Sequence, residues 1–217
     1  MTVLPVFRLL RSLPTAVLII LTLSCLPELT LQAADHGLIG SASWRQLTYQ
    51  NGAFWAGLLH GWQPNYRAQP GLMFASYGFL HAGLGHLIGN MLGLGGLGAP
   101  AADRLGAWGF VWLYAASLLG GAVAFGLLSN SPAPMVGASG AVFGLAAAWV
   151  VADWQDHKSR QYARLRACGL LGALMGLNLI SWALLGGQLA WQTHLGGCLA
   201  GAGFALCYPR PLVNTRS

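Results

Sequence analysis

The chain has 217 residues, of which 55% are hydrophobic and only 7% are charged. A typical soluble domain has about 25% charged residues, so a soluble core of this size could not hide so much apolar surface. The net charge is +6. The basic residues lie at the ends of apolar stretches and form no polar face, which argues against binding to nucleic acid.

Long uncharged stretches predict membrane-spanning helices. No charged residue lies between Arg104 and Asp153 or between Arg166 and Arg210. A helix needs about 20 apolar residues to cross a bilayer, so each stretch has room for two spans. The sequence therefore predicts an all-α membrane protein with six transmembrane helices, in one domain of residues 13–208. The expected spans are 13–31, 77–98, 106–127, 137–152, 167–185 and 190–208.

The first span and the segment after it allow two interpretations. Residues 1–34 are either a retained first span behind a short tail (1–12) or a signal peptide with a cleavage site near Ala34. Aromatic residues in the loop 34–75 are typical of the membrane–water interface, and Phe54–Leu59 is expected to form a short helix there. Residues 209–217 form a second tail, and Pro100 is expected to end the second span.

The distribution of Lys and Arg predicts the orientation. With the N-terminus inside and six spans, only two of the basic residues lie outside, Arg45 and Arg67. Cytoplasmic loops carry an excess of Lys and Arg, so both chain termini are expected to be cytoplasmic. The nine inside residues are Arg8, Arg11, Arg104, Lys158, Arg160, Arg164, Arg166, Arg210 and Arg216.

Polar residues inside the spans mark a candidate site, because ionisable groups in a bilayer are costly and usually functional. Ser139, in Gly137-Ala-Ser-Gly140, lies at the start of a span, where free backbone N–H groups favour an oxyanion. Counting about 1.5 Å per residue from the inner ends puts Ser139, His194 and His86 at similar depths, about 18–20 Å above the inner edge. This is about 10 Å below the outer surface of a hydrocarbon core of about 30 Å.

Small residues predict that the helices carrying Ser139 and His194 approach each other closely. Gly140 and Gly144 share one face of the fourth span, and Gly197 and Gly201 share one face of the sixth. Faces of this kind let helix backbones pack tightly in lipid, although the glycines could serve packing alone. No Asp or Glu is expected at this depth, so a Ser–His dyad is more economical than a triad. Phe143, one turn after Ser139, could stack on the imidazole.

Three blocks of sequence resemble the rhomboid family of intramembrane proteases. They are 79–90, with the pattern His-x4-His-x3-Asn, then Gly137-Ala-Ser-Gly140, and then His194-Leu-Gly-Gly197-x3-Gly201. The resemblance implies that Ser139 is the nucleophile and His194 the general base. It also implies that His86, Asn90 and Gly137 stabilise the oxyanion, that Phe143 stacks on the base, and that His81 is structural.

The resemblance also implies an activity and a location. The expected reaction is hydrolysis of peptide bonds in or near transmembrane helices of other membrane proteins, without metal or cofactor. The expected location is the inner membrane of a bacterium, in contact with lipid. Both a monomer and a homo-oligomer are compatible with the sequence. The sequence departs from the family in one place: the Trp-Arg pair usual shortly before the second span is replaced by Leu72-Met73, whereas Trp44-Arg45 lies much earlier.

Three other functions are less well supported by the residues. A metalloenzyme would use His81, His86 and His194, but the spacing lacks the pattern of a zinc protease helix. A protein that binds client helices without cutting them would be expected to lack the Ser or the His. A transporter would be expected to show an inverted repeat, which is absent from the sequence.

Overall fold

A computed structural model describes residues 13–156, 160–184 and 190–208. The described residues form helices and contain no strand, apart from one isolated β-bridge between Phe54 and Met135. The α-helices are α1 (Thr15–Asp35), α2 (Trp44–Gly52), α3 (Gln69–Ser76), α4 (Leu84–Leu128), α5 (Ser139–Asp156), α6 (Arg160–Leu184) and α7 (Trp191–Cys207). The predicted all-helical class is confirmed by this arrangement.

Helix α5 lies at the centre of the bundle. It packs extensively against α4 and α7, and α1 packs on the outside of α4. Seven consecutive residues near its start, Gly140–Ala146, are buried. A helix that is apolar all round fits such a central position, and Ser139 at its first turn is thereby held between neighbouring helices.

Helix α4 consists of two helical segments joined at Gly106. The backbone of Gly106 is non-helical (φ 74°, ψ 169°), a conformation that favours glycine. A Cβ atom on Gly98 would lie 3.2 Å from Phe110 Cε2, so residues on either side of the kink contact each other. The chain therefore reverses direction at Gly106.

Two predicted boundaries of the second span are wrong. The helix does not end at Pro100 but continues to the kink. Proline removes one hydrogen bond and crowds the preceding turn, but a helix packed among other helices can accommodate both effects. The second span also begins at Leu84 rather than Tyr77, since Tyr77–Phe79 forms a separate 3-10 turn. The predicted depth of His86 was counted from Gly98 as the inner end of the span. Because the helix continues past Gly98, that depth no longer follows.

The polar connection expected at 153–166 is shorter than predicted. Helix α5 extends to Asp156 and α6 begins at Arg160. Hydrogen bonds from Arg104 to Asp156 join α4 to the end of α5, and an ion pair between Arg166 and Asp153 joins α6 to α5. Lys158, the residues between the expected fifth and sixth spans (186–189) and the tails 1–12 and 209–217 lie outside the described residues.

The long loop after α1 is partly helical. It contains α2, a 3-10 turn at Ala56–Leu59 and α3, and the 3-10 turn overlaps the short helix expected near Phe54–Leu59. Among the described residues, α1 and α4 are long and apolar enough to cross a membrane by length and composition.

Candidate active site

The structure brings Ser139 and His194 together. Ser139 is the first residue of α5, and His194 lies in the first turn of α7. The Nε2 atom of His194 lies 2.8 Å from the Oγ atom of Ser139, which is hydrogen-bond distance. The His194 side chain is buried and Ser139 is half-buried. A hydroxyl and an imidazole in this geometry can exchange a proton.

Glycines make this contact possible. A Cβ atom on Gly197 would collide with the carbonyl oxygen of Gly140, and one on Gly201 would collide with the carbonyl oxygen of Gly144. The backbones of α5 and α7 therefore touch along two successive turns, where larger side chains would keep the helices apart. All four glycines that the sequence assigned to helix packing lie in this interface.

Phe143 stacks on the imidazole of His194. The ring centroids are 4.1 Å apart and the ring planes differ by only 3°. Phe143 is one turn after Ser139 on α5, so the same helix that carries the hydroxyl also supports the ring. The stack limits rotation of the imidazole and keeps Nε2 directed at Ser139.

His86 lies beside the backbone just before Ser139. Gly137 has φ 123°, and a Cβ atom there would lie 2.9 Å from Nε2 of His86. The backbone N–H of Ala82 donates a hydrogen bond to Nδ1 of His86 at 3.2 Å. A neutral imidazole that accepts at Nδ1 carries its hydrogen on Nε2, so the donor of His86 is on the edge next to Gly137.

Asn90 is buried, and its amide is engaged within its own helix. Its Nδ2 donates to the carbonyl oxygen of His86 at 2.9 Å. This bond places the amide one turn below His86. The remaining hydrogen of the NH₂ group is the one that could serve a bound group.

His81 is fully buried and its ring lies 5.3 Å from the ring of His86. Its carbonyl oxygen accepts hydrogen bonds from Tyr49 at 2.6 Å and from Arg45 at 3.2 Å. Hydrogen bonds from the loop after α1 therefore hold the turn that leads into His86.

Arg45 joins that loop to the first helix. Its guanidinium donates to both carboxylate oxygens of the fully buried Glu28 at 2.9 Å, and to Asp35 at 2.7 Å. The hydrogen bond with Glu28 raises the pKa of Arg45 above its ordinary value. From the sequence, Arg45 was predicted to be an outside charge and a member of a displaced Trp-Arg pair, without a partner. The acidic residue inside the first span was the signal that could have identified this partner.

Met135 and Tyr77 also contribute to the site, although the sequence did not indicate them. The backbone N–H of Gly137 donates to the carbonyl oxygen of Tyr77 at 2.9 Å, and the hydroxyl of Thr193 donates to the sulfur of Met135. These residues contact the segments that carry Ser139 and His194. They have no motif of their own, so no sequence pattern distinguishes them.

Within residues 13–156, 160–184 and 190–208, no three His, Cys, Asp or Glu side chains are grouped closely enough to hold a metal ion. The site that the structure assembles from the predicted residues is a hydroxyl, an imidazole and nearby N–H donors. Such a set suits nucleophilic attack on a carbonyl group.

Comparison with known proteins identifies the family. A comparison with curated proteins gives no match. The family model for the rhomboid domain matches residues 69–211, which include Ser139, His194 and His86. This match covers more than half of the chain, so the protein belongs to the rhomboid family, whose members are integral membrane proteins and intramembrane proteases.

Proposed function

We propose that this protein is a serine endopeptidase that hydrolyses peptide bonds in or near transmembrane helices of other membrane proteins. Ser139 is the nucleophile and His194 is the general base. The observation that carries the proposal is the 2.8 Å distance between Ser139 Oγ and His194 Nε2 inside a chain of the rhomboid family. Nucleophile and base within hydrogen-bond reach are the signature of covalent acyl transfer.

The first half of the reaction forms an acyl-enzyme. Ser139 Oγ attacks the carbonyl carbon of the scissile bond while Nε2 of His194 takes the hydroxyl proton. When the C–N bond breaks, the imidazolium gives this proton to the leaving amine. The stacked ring of Phe143 holds the imidazole in position through both transfers.

The oxyanion of the tetrahedral intermediate is stabilised by donors that are already in place. The first N–H groups of α5, beginning at Ser139, have no acceptor within their own helix. The Nε2–H of His86 points to the same region beside Gly137, and Asn90 lies one turn away. Loss of one such donor typically costs about 10²–10³-fold in kcat.

The second half of the reaction consumes water. His194 removes a proton from a water molecule, the resulting hydroxide attacks the acyl carbon, and the proton returns to Ser139 Oγ as the ester bond breaks. Water must enter from the outer side, close to the first turns of α5 and α7. A substrate helix must unwind locally, because its carbonyl groups are engaged in its own hydrogen bonds, and helix-weakening residues favour this.

The proposed topology has six spans with both termini in the cytoplasm. Helix α4 supplies two of them on either side of Gly106, and α1, α5, α6 and α7 supply the others. The excess of Lys and Arg on the proposed inner side supports this orientation. The proposed depth of the dyad, from the residue count along the sixth span, is about 10 Å below the outer surface of a hydrocarbon core of about 30 Å. The bacterial inner membrane is the proposed location.

Incubation of detergent-purified protein with a fluorogenic transmembrane substrate tests the proposal. The wild type is expected to cleave the substrate and to be labelled on Ser139 by a fluorophosphonate probe, and Ser139→Ala is expected to do neither. A metal chelator is expected to leave the rate unchanged. Proteolysis that persists in purified Ser139→Ala would refute the assignment of the nucleophile.

A further inference from the structure

The long loop after α1 is attached by its backbone to the segment that precedes Ser139. The N–H of Phe54 donates to the carbonyl oxygen of Met135, and the N–H of Met135 donates to the carbonyl oxygen of Phe54, both at 2.9 Å. The two residues thus form one hydrogen-bonded antiparallel pair. Met135 is four residues before Ser139, so the pair lies directly upstream of the nucleophile.

The loop side of this pair is anchored in the core. The Phe54 side chain is fully buried and makes edge contacts with three aromatic rings, at centroid distances of 4.9 Å to Phe74, 6.0 Å to Tyr77 and 5.9 Å to Phe125. A Cβ atom on Gly126 would lie 3.3 Å from Cζ of Phe54. Such contacts hold a ring in one place and orientation.

The other side of the pair reaches both members of the proposed dyad. Along the chain, Met135 leads through Gly137 to Ser139, and Gly137 is fixed by its own hydrogen bond to Tyr77. Across the interface, the sulfur of Met135 accepts a hydrogen bond from Thr193, which directly precedes His194. Met135 is therefore the point at which the loop, the nucleophile and the base are connected.

We propose that Phe54 is a positioning residue for the Ser139–His194 pair, acting through its backbone bridge to Met135. This inference rests on the proposed function. The bridge fixes the position of the segment 135–137 and thereby sets the position of the first turn of α5 relative to α7. Displacement of a catalytic group by about 1 Å can cost about 100-fold in rate, so a small shift of this segment slows catalysis.

The proposal separates the effect on chemistry from the effect on substrate binding. Phe54 acts on Ser139 and His194 through its neighbours Met135 and Tyr77, so its loss removes no catalytic group. Phe54→Leu replaces the ring by a smaller branched side chain, which loosens the anchor and lets the bridge fluctuate. The expected result is a fall of at least about tenfold in kcat and in the labelling rate of Ser139, with KM changed by less than about twofold.

Phe110→Leu is the matched control. Phe110 is also fully buried in the core and lies next to Gly98 near the kink in α4, away from the bridge. Both variants remove similar packing, so both are expected to lower thermal stability, while only Phe54→Leu lowers kcat well below its unfolding temperature. Equal effects of the two variants on kcat, or wild-type kcat in Phe54→Leu, would overturn the proposal.

Amide hydrogen exchange tests the bridge without any activity. Peptides covering 135–137 are expected to exchange at least about tenfold faster in Phe54→Leu than in the wild type, and at the wild-type rate in Phe110→Leu. If the wild type is not labelled on Ser139, the proposed function fails, but the exchange rates still report on the bridge. Unchanged exchange at 135–137 in Phe54→Leu would overturn the role of Phe54 by itself.

Discussion

Ser139 and His194 lie on different helices and are separated by 55 residues, yet Nε2 of His194 is 2.8 Å from Oγ of Ser139. The contact depends on helices α5 and α7 being close enough for their backbones to touch, which only glycine at the crossing permits. The geometry of the site therefore depends directly on how closely α5 and α7 pack.

Replacement of His194 by alanine is expected to remove activity while leaving the fold intact. Without the imidazole, the Ser139 hydroxyl has no base to take its proton, and cleavage should fall by at least about 10³-fold. Labelling of Ser139 by a fluorophosphonate should fall in parallel, because the probe also needs an activated hydroxyl. Circular dichroism and thermal unfolding control for the fold, and a His194→Ala variant that is labelled at the wild-type rate would contradict the role of the base.

Phe143 offers a test of how the imidazole is held. Phe143→Leu removes the flat surface on which His194 stacks but keeps an apolar side chain, so we expect kcat to fall about tenfold. Phe143→Tyr keeps the ring and is expected to retain most of the activity. The two variants are compared in kcat at equal substrate saturation, and equal loss in both would show that stacking is not what matters.

The glycine interface predicts an effect on stability. A methyl group on Gly201 would overlap the carbonyl oxygen of Gly144, so Gly201→Ala must push α5 and α7 apart. Overpacking of this kind costs about 1–3 kcal/mol, and it should also lengthen the distance from His194 to Ser139 and lower kcat. Unfolding in mixed micelles measures the first effect and substrate cleavage the second.

Gly203 is the control for this experiment because it lies on the same helix, and a methyl group placed there would have no neighbouring atom within 4 Å. Gly203→Ala should be neutral or more stable by up to about 1 kcal/mol, since alanine is the better helix former. If Gly201→Ala and Gly203→Ala behave alike, the contact between the two backbones is not limiting.

The pairing of Ser139 with His194 could be predicted because polar residues in apolar spans are rare and the glycine spacing showed which faces meet. The bridge between Phe54 and Met135 could not, because it is made by backbone atoms, which every residue has. The boundary at Pro100 was predicted wrongly because proline weakens a helix locally without deciding whether neighbouring helices support it. The side chains that carry the site thus have a signature in the sequence, whereas the contacts that position them arise only from the fold.

The pair formed by Arg45 and Glu28 yields a prediction about the loop. Glu28 is fully buried in α1, and the Arg45 side chain is 21% exposed. Removal of one member of a buried pair leaves a charge without compensation and costs about 3–5 kcal/mol. Arg45→Ala should therefore destabilise the protein strongly and weaken the hold on the carbonyl oxygen of His81, to which Arg45 also donates.

A double-mutant cycle separates the charge from the packing. Glu28→Gln removes the buried charge, so Arg45→Ala should cost much less in that background than in the wild type, and the coupling should be about 1–3 kcal/mol. Arg45→Lys keeps the positive charge but lacks the planar pair of N–H donors that matches both carboxylate oxygens, so its stability should lie between those of the wild type and Arg45→Ala. Free energies of unfolding in mixed micelles provide all of these values. Additive effects of Arg45→Ala and Glu28→Gln would mean that the loop is held to α1 by contacts other than this ion pair.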